Sequence, residues 1–191
     1  MINTAEDGSD DDALNKIDKS TRTGYYMKKH LRQDVNCDPN SKQEKSHYHA
    51  RLRFTEFFLN YAEAANEAWG PTGTGSNPFS AYDVIKAIRQ RAGIGMEGDA
   101  YLEECKGDKE KMRRLIRNER RIELCFEGFR FYDLRRWKAD LNEAARGVRI
   151  SNGVYSTFEV ETRNYRDYMY YGPIPYGEVL KFSELQQNAG W

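Results

Sequence analysis

Four carboxylates recur along one stretch at spacings that chemistry could use: Glu119, Glu123, Glu127 and Asp133. Steps of four residues put the three glutamates on one face of a helix. Two carboxyl groups facing an open cleft, one kept neutral and one ionised, are what glycoside hydrolysis requires. The same stretch carries guanidinium groups at three-residue spacing: Arg120 beside Glu123, Arg130 beside Glu127, Arg136 beside Asp133. A guanidinium within reach holds a carboxyl ionised and offers it two parallel hydrogen bonds. The spacing therefore speaks against acid–base catalysis. It predicts a structural ion-pair network of Glu119, Arg120, Glu123, Glu127, Arg130, Asp133 and Arg136 that pins helices together. RNA recognition by an arginine-rich helix is disfavoured as well, because the acidic residues cancel much of its field.

Other chemistry-bearing residues are sparse. His47 and His49 would share a strand face but not a helix face, and His30 is the only other histidine, so no metal is expected. The acidic run from Asp7 to Asp12 lacks the alternating ligands and sixth-position glycine of a calcium loop, and reads as solvated. Cys37, Cys105 and Cys125 are far apart and form no Cys-x-x-Cys pair, so they read as small buried residues or unpaired thiols. No catalytic residue and no cofactor follow from these patterns. Lys+Arg and Asp+Glu both count 30, so no basic excess points to nucleic acid. No apolar run approaches the ~20 residues of a membrane span, and the acidic N-terminus is the reverse of a signal peptide. A hydrophobic fraction of 39% is low for a compact chain, and thirteen tyrosines partly compensate, since they bury ring area while keeping a hydroxyl.

Helical periodicity supplies the elements that must hold these residues. Phe54, Phe58, Tyr61, Ala65 and Ala68 recur at three- and four-residue steps, and Gly70-Pro71 stops that helix. Ser80 and Asp83 form a capping box for a second helix with Tyr82, Ile85, Ile88 and Ala92 inward, closed by Gly93. The two make a helical hairpin of the tetratricopeptide kind, which needs neighbours to cover its apolar face. Asp108 caps a third helix through Met112, Leu115, Ile116, Ile122 and Phe126. After a break at Gly128, a further helix carries Phe129, Tyr132 and Trp137. Beyond Gly147 the Asn152-Gly153 pair between Val-, Thr- and Tyr-rich runs predicts a β-hairpin. The tail with Pro173 and Pro175 reads as an extended segment laid over the surface.

The stretch from Glu119 to Trp137 resembles the C-terminal signature of the SusD/RagB family. Further resemblances follow the same order: Gly24-Tyr-Tyr26, the helix Arg53 to Ala64, Ile88-Arg-x-Arg-Ala-Gly93, Pro173-Ile-Pro175 with Glu178, and Gln187-Asn-Ala-Gly-Trp191. Departures are small, Phe54-Thr55 and Ala189 among them. The resemblance divides the chain into a polar leader, residues 1–22, and a SusD/RagB-like C-terminal region, residues 23–191, whose N-terminal half is expected to be absent. It implies a mainly α fold of tetratricopeptide-like hairpins with irregular loops and a small β-hairpin. It also implies a non-catalytic outer-membrane lipoprotein, surface-exposed, that binds oligosaccharide and hands it to a SusC-like TonB-dependent transporter. Sugar faces stack on aromatic rings, so Trp69, Tyr168, Tyr170 and Tyr171 are the candidate ligand residues. The alternative is a tetratricopeptide-like scaffold for protein partners, with no sugar involved.

Overall fold

The protein is described here by a computed structural model covering residues 2–47 and 50–191; His49 lies outside the described residues. It is mainly helical, with a two-stranded antiparallel sheet near the C-terminus. The chain divides into two compact units, one of Val35–Tyr132, the other of Met1–Asp34 with Asp133–Trp191.

The first of these holds four helices: α1 (Phe54–Trp69), α2 (Ala81–Arg91), α3 (Ala100–Cys105) and α4 (Lys109–Glu123). α1 packs on both α2 and α4. Small residues make this possible, since Ala62 and Ala65 are fully buried and let the neighbouring backbones approach. Leu59, Ile85, Leu102, Met112, Leu115 and Ile116 fill the shared core, each contributing about 1.5–3 kcal/mol by leaving water. The predicted starts and stops are present. Ser80 and Asp83 make the reciprocal capping box of α2, Asp108 accepts from two backbone amides at the start of α4, and Gly70 ends α1 at φ 77°.

The buried seam of α1 differs from the one periodicity suggests. Leu59, Ala62, Ala65 and Asn66 face the core, whereas Phe54 and Phe58 are exposed and Ala68 lies outside the seam. Bulky rings at the seam would hold the helices apart, so the small residues win it and the phenylalanines line an open groove. Ala92 is likewise exposed, lying just past the end of α2. α4 stops at Glu123 rather than reaching Phe126, which turns at φ 63° and is exposed together with Ile122. α3 has no periodic signal because it is only six residues long; Asp99 caps it by accepting from the Leu102 amide.

In the other unit, β1 (Ala145–Ser151) and β2 (Val154–Glu161) pair antiparallel. Asn152 and Gly153, at φ 49° and 75°, form the two-residue turn, a conformation whose backbone twist matches the right-handed twist of the strands. The N-terminal residues pack along β1. Val148 N–H donates to Thr23 O at 2.9 Å, and Glu6 N–H donates to Ile150 O at 2.9 Å. Gly24 is needed at this contact: it has φ 78°, and a Cβ there would sit 1.9 Å from Val148 O. Ala13 and Leu14 are buried in this otherwise polar segment.

The C-terminal tail is more ordered than an extended strap. It contains a 3-10 turn, Asp167–Tyr170, and the short helix α6 (Tyr176–Val179). The Gln187 side chain clamps Ile174 reciprocally, its amide donating to Ile174 O and its oxygen accepting from Ile174 N–H, both at 2.8 Å.

Candidate functional site

The helix α5 (Phe129–Arg136) ends in a tight turn. Trp137 N–H donates to Asp133 O and Ala139 N–H to Leu134 O, and Lys138 takes the left-handed conformation at φ 46°. The 3-10 turn is held against this segment, because Tyr170 Oη donates to Ala139 O at 2.7 Å. Asn142 fixes the approach to that turn by clamping Tyr165, its side-chain oxygen 2.6 Å from Tyr165 N and its amide nitrogen 3.0 Å from Tyr165 O. Tyr165 and Tyr170 then stack edge-on with centroids 5.5 Å apart.

Together these residues enclose a cavity of 600 Å³ lined by Arg135, Arg136, Lys138, Asp167, Tyr170 and Tyr171. Its cations are held in different ways. The Arg135 guanidinium lies 5.6 Å over the Tyr165 ring, and that of Arg136 4.8 Å over Trp137. Arg136 Nε also donates to Asp133 Oδ1 at 3.0 Å, and Asp133 is buried. Lys138 is exposed. The exposed Tyr171 ring offers a face on which the C–H side of a sugar can stack, and the cations supply hydrogen-bond donors. Asp167 supplies a carboxylate to the lining.

The four predicted ligand residues are placed differently. Tyr170 and Tyr171 line this cavity. Tyr168 sits in the same 3-10 turn but packs edge-on against Trp191, with centroids 5.0 Å apart, and its ring lies where a Cβ at Gly190 would be. Trp69 belongs to the other unit, at the end of α1, with its ring beside Gly75. Sequence reasoning passed over Arg135, Lys138 and Asp167 as ligand residues. The signal for the first two was present, as three cations within the four residues 135–138.

The charged stretch builds two guanidinium nodes in the helical unit. Arg53, at the start of α1, donates to both carboxylate oxygens of Glu127, to Glu123 Oε1 at 3.0 Å and to Glu123 O at 2.7 Å. Arg91 also reaches Glu123, at 2.7 Å. Arg89 of α2 meets Asp99 at 2.5 and 3.2 Å and also Glu119 of α4. Arg120 donates to Asn60 at 2.7 Å and lies 5.5 Å over the Phe129 ring. Burial would raise the Glu123 carboxyl, but Arg91 and Arg53 outweigh it and hold it below the ordinary carboxylate value. The Arg89 hydrogen bond lowers Asp99 in the same direction, against a smaller effect of burial. Carboxyls held ionised in this way cannot serve as general acids near neutral pH. Elsewhere, hydrogen bonding to Glu103, with burial, pushes the Tyr82 hydroxyl up to about 12, and burial raises the Cys105 thiol. Among the described residues no group of three or more His, Cys, Asp or Glu side chains converges as a metal site. No helix among them is long and apolar enough to cross a membrane.

The sequence profile of the SusD family matches residues 3–191, and the chain belongs to that family, whose members in general bind nutrients such as glycans. It is 30% identical over 154 residues to a SusD-like protein P2 of Formosa agariphila, an alignment covering 78% of this chain and 27% of the relative. Its fold is similar to the crystal structure of a SusD-like protein from Bacteroides fragilis, with a TM-score of 0.57 and 36% identity, over 74% of this chain and 25% of the other. The chain thus spans about a quarter of the length of the relatives it matches.

Proposed function

We propose that this chain is a non-catalytic, glycan-binding segment of a protein at the bacterial outer-membrane surface, which passes bound oligosaccharide to a SusC-like TonB-dependent transporter. The observation that carries this reading is the cavity at the end of α5, where the exposed Tyr171 ring stands beside Tyr170, two arginines and a lysine. An aromatic face with adjacent donors is the arrangement that a pyranose ring recognises, apolar on one side and hydroxylated at the rim. Membership of the SusD family supports the nutrient, the transporter and the membrane location. Arginine partners on Glu119, Glu123 and Asp133, and on Glu127, support binding without hydrolysis.

Native electrophoresis through gels containing a panel of polysaccharides tests this directly. Retardation by at least one polysaccharide, with no reducing ends released on long incubation, is the expected result. A second reading, a helical scaffold for protein partners, draws on the apolar groove of 380 Å³ between α1 and α2, lined by Phe54, Phe58 and Phe79. Absence of retardation by every polysaccharide would favour it.

A further inference from the structure

We infer that the outer edge of β2 pairs with β2 of a second copy of this chain, joining two hairpins into one antiparallel sheet about a two-fold axis at Thr157. The two edges of the β1–β2 sheet differ. Val148 N–H donates to Thr23 O, and Ile150 O accepts from Glu6 N–H, so the N-terminal segment takes up the backbone groups that these β1 residues turn away from β2. Their cross-strand partners, Thr157 and Tyr155, therefore turn their own backbone groups to the opposite edge, and the alternation carries on to Glu159. Among the described residues none hydrogen-bonds to the outward backbone of Tyr155 or Thr157. The side chains from Val154 to Thr157 are all exposed. Edges that must stay single carry a lysine, a proline or a bulge. Residues 154–158 have none of these, and the one irregularity of the ladder lies beyond them, at Ala145 and Arg146. An open edge of this kind accepts an extended strand.

Register identifies the occupant as a second β2. Antiparallel pairing about Thr157 sets Thr157 against its own copy and Tyr155 against Glu159, so outward donors meet outward acceptors along the whole edge. A direct Thr–Thr pair is favourable in such a ladder, and like charges directly opposite are not. Glu159 and Glu161 are the only charges on β2. In this register Glu159 meets a tyrosine and already faces Arg146 within its own hairpin, while Glu161 meets Gly153. No two like charges are opposed. Association stops at two copies, because the edge of β1 is already bonded to residues 6 and 23, and a two-fold contact closes on itself.

Sedimentation of the full chain at rising concentration tests this. The expected species is a dimer with no larger assembly. Thr157→Lys sets two like charges on the axis and should raise the concentration for half-association about tenfold or more. The melt of the dilute, monomeric protein should be unchanged, because Thr157 is exposed. Cross-linking gives a second readout in a Cys37→Ser background, which removes the exposed thiol. There Thr157→Cys should form an intermolecular disulfide on mild oxidation, since directly paired Cα atoms lie about 5.5 Å apart. Tyr155→Cys should not, because the register holds its two copies four residues apart, roughly 13 Å. A parent chain that is still monomeric at roughly 0.5 mM, or cross-linking no stronger in Thr157→Cys than in Tyr155→Cys, would overturn the proposal. So would a dimer that survives Thr157→Lys and is lost in Phe54→Ser, which would put the interface on the groove of α1 and α2.

Discussion

Arg53 grips both carboxylate oxygens of Glu127 across 74 residues of sequence, Nη2 at 2.8 Å from Oε1 and Nε at 3.1 Å from Oε2. The same guanidinium reaches the side chain and the backbone carbonyl of Glu123. One arginine at the start of α1 therefore fixes the end of α4 and the turn after it, where α4 has lost its own hydrogen-bond ladder. Removing one partner costs about 3–5 kcal/mol in a buried pair and roughly 0–1 kcal/mol in an exposed one. The Glu127 side chain is 8% exposed and that of Arg53 26%, so Glu127→Ala is expected to cost about 2–4 kcal/mol in urea unfolding. Arg53→Ala combined with Glu127→Ala should cost clearly less than the two single changes added. Additive losses would mean that the contact carries little energy.

Acid should loosen the helical unit. Asp99, Glu123 and Glu67 are all held below their ordinary values, chiefly through Arg89 for Asp99 and Arg113 for Glu67, and through Arg91 and Arg53 against burial for Glu123. A carboxyl lowered by folding stabilises the fold above its unfolded value, and that contribution disappears as pH falls through the folded one. The urea midpoint should hold from pH 7 to about 5 and then drop as pH passes below roughly 4. Asp99→Asn keeps a helix-capping side chain but removes the charge. Its loss relative to the parent should be evident at pH 7 and shrink at low pH.

Two glycines, Gly153 in the β1–β2 turn and Gly24 packed against β1, should respond unequally to alanine. Gly153 has φ 75° but open space around it, so Gly153→Ala should cost about 1 kcal/mol of backbone strain and no more. At Gly24 a Cβ meets the Val148 carbonyl at 1.9 Å, and the strand or the N-terminal segment must move. Gly24→Ala is expected to cost several times as much. Thermal melts of the two variants give the comparison, and equal shifts would show that the packing of residues 23–24 on β1 is loose.

The groove of α1 and α2 presents Phe54, 83% exposed, with Phe57 and Phe58 beside it. An apolar patch of this kind binds hydrophobic dyes in a folded protein. Dye fluorescence should be appreciable at neutral pH and fall in the Phe54→Ser, Phe58→Ser double variant, whose melting temperature should stay close to that of the parent. Unchanged fluorescence would place the apolar surface elsewhere.

Sequence patterns revealed what local physics decides. The capping box at Ser80, the cap at Asp108, the stop at Gly70 and the Asn152-Gly153 turn each depend on residues within a few positions, and each is present. The mainly helical fold with its small hairpin follows from those signals together with the family resemblance. What stayed hidden depends on distant partners. Glu123 and Glu127 invited pairing with arginines three residues away, but a three-residue spacing carries no trace of Arg53. The core face of α1 was misread because Phe54 and Phe58 look like core, while Ala62 decides how closely the helices can approach. Tyr170 and Tyr171 could be picked out as exposed aromatics. Their meeting with Arg135 and Lys138 depends on Tyr170 reaching Ala139, which no spacing announces.

The central claim is that the cavity beside Tyr171 binds saccharide. Tyr171→Ala removes an exposed ring that forms no part of the core, so folding should be unaffected and its effect on binding can be read directly. Titration calorimetry with whichever polysaccharide retards the parent chain most in native gels is the decisive measurement. Loss of one stacking face should weaken affinity about tenfold or more, for roughly 1–2 kcal/mol, while Trp69→Ala, in the other unit, serves as the comparison. Affinity unchanged in Tyr171→Ala and lost in Trp69→Ala would contradict the account and move the site to the helical hairpin.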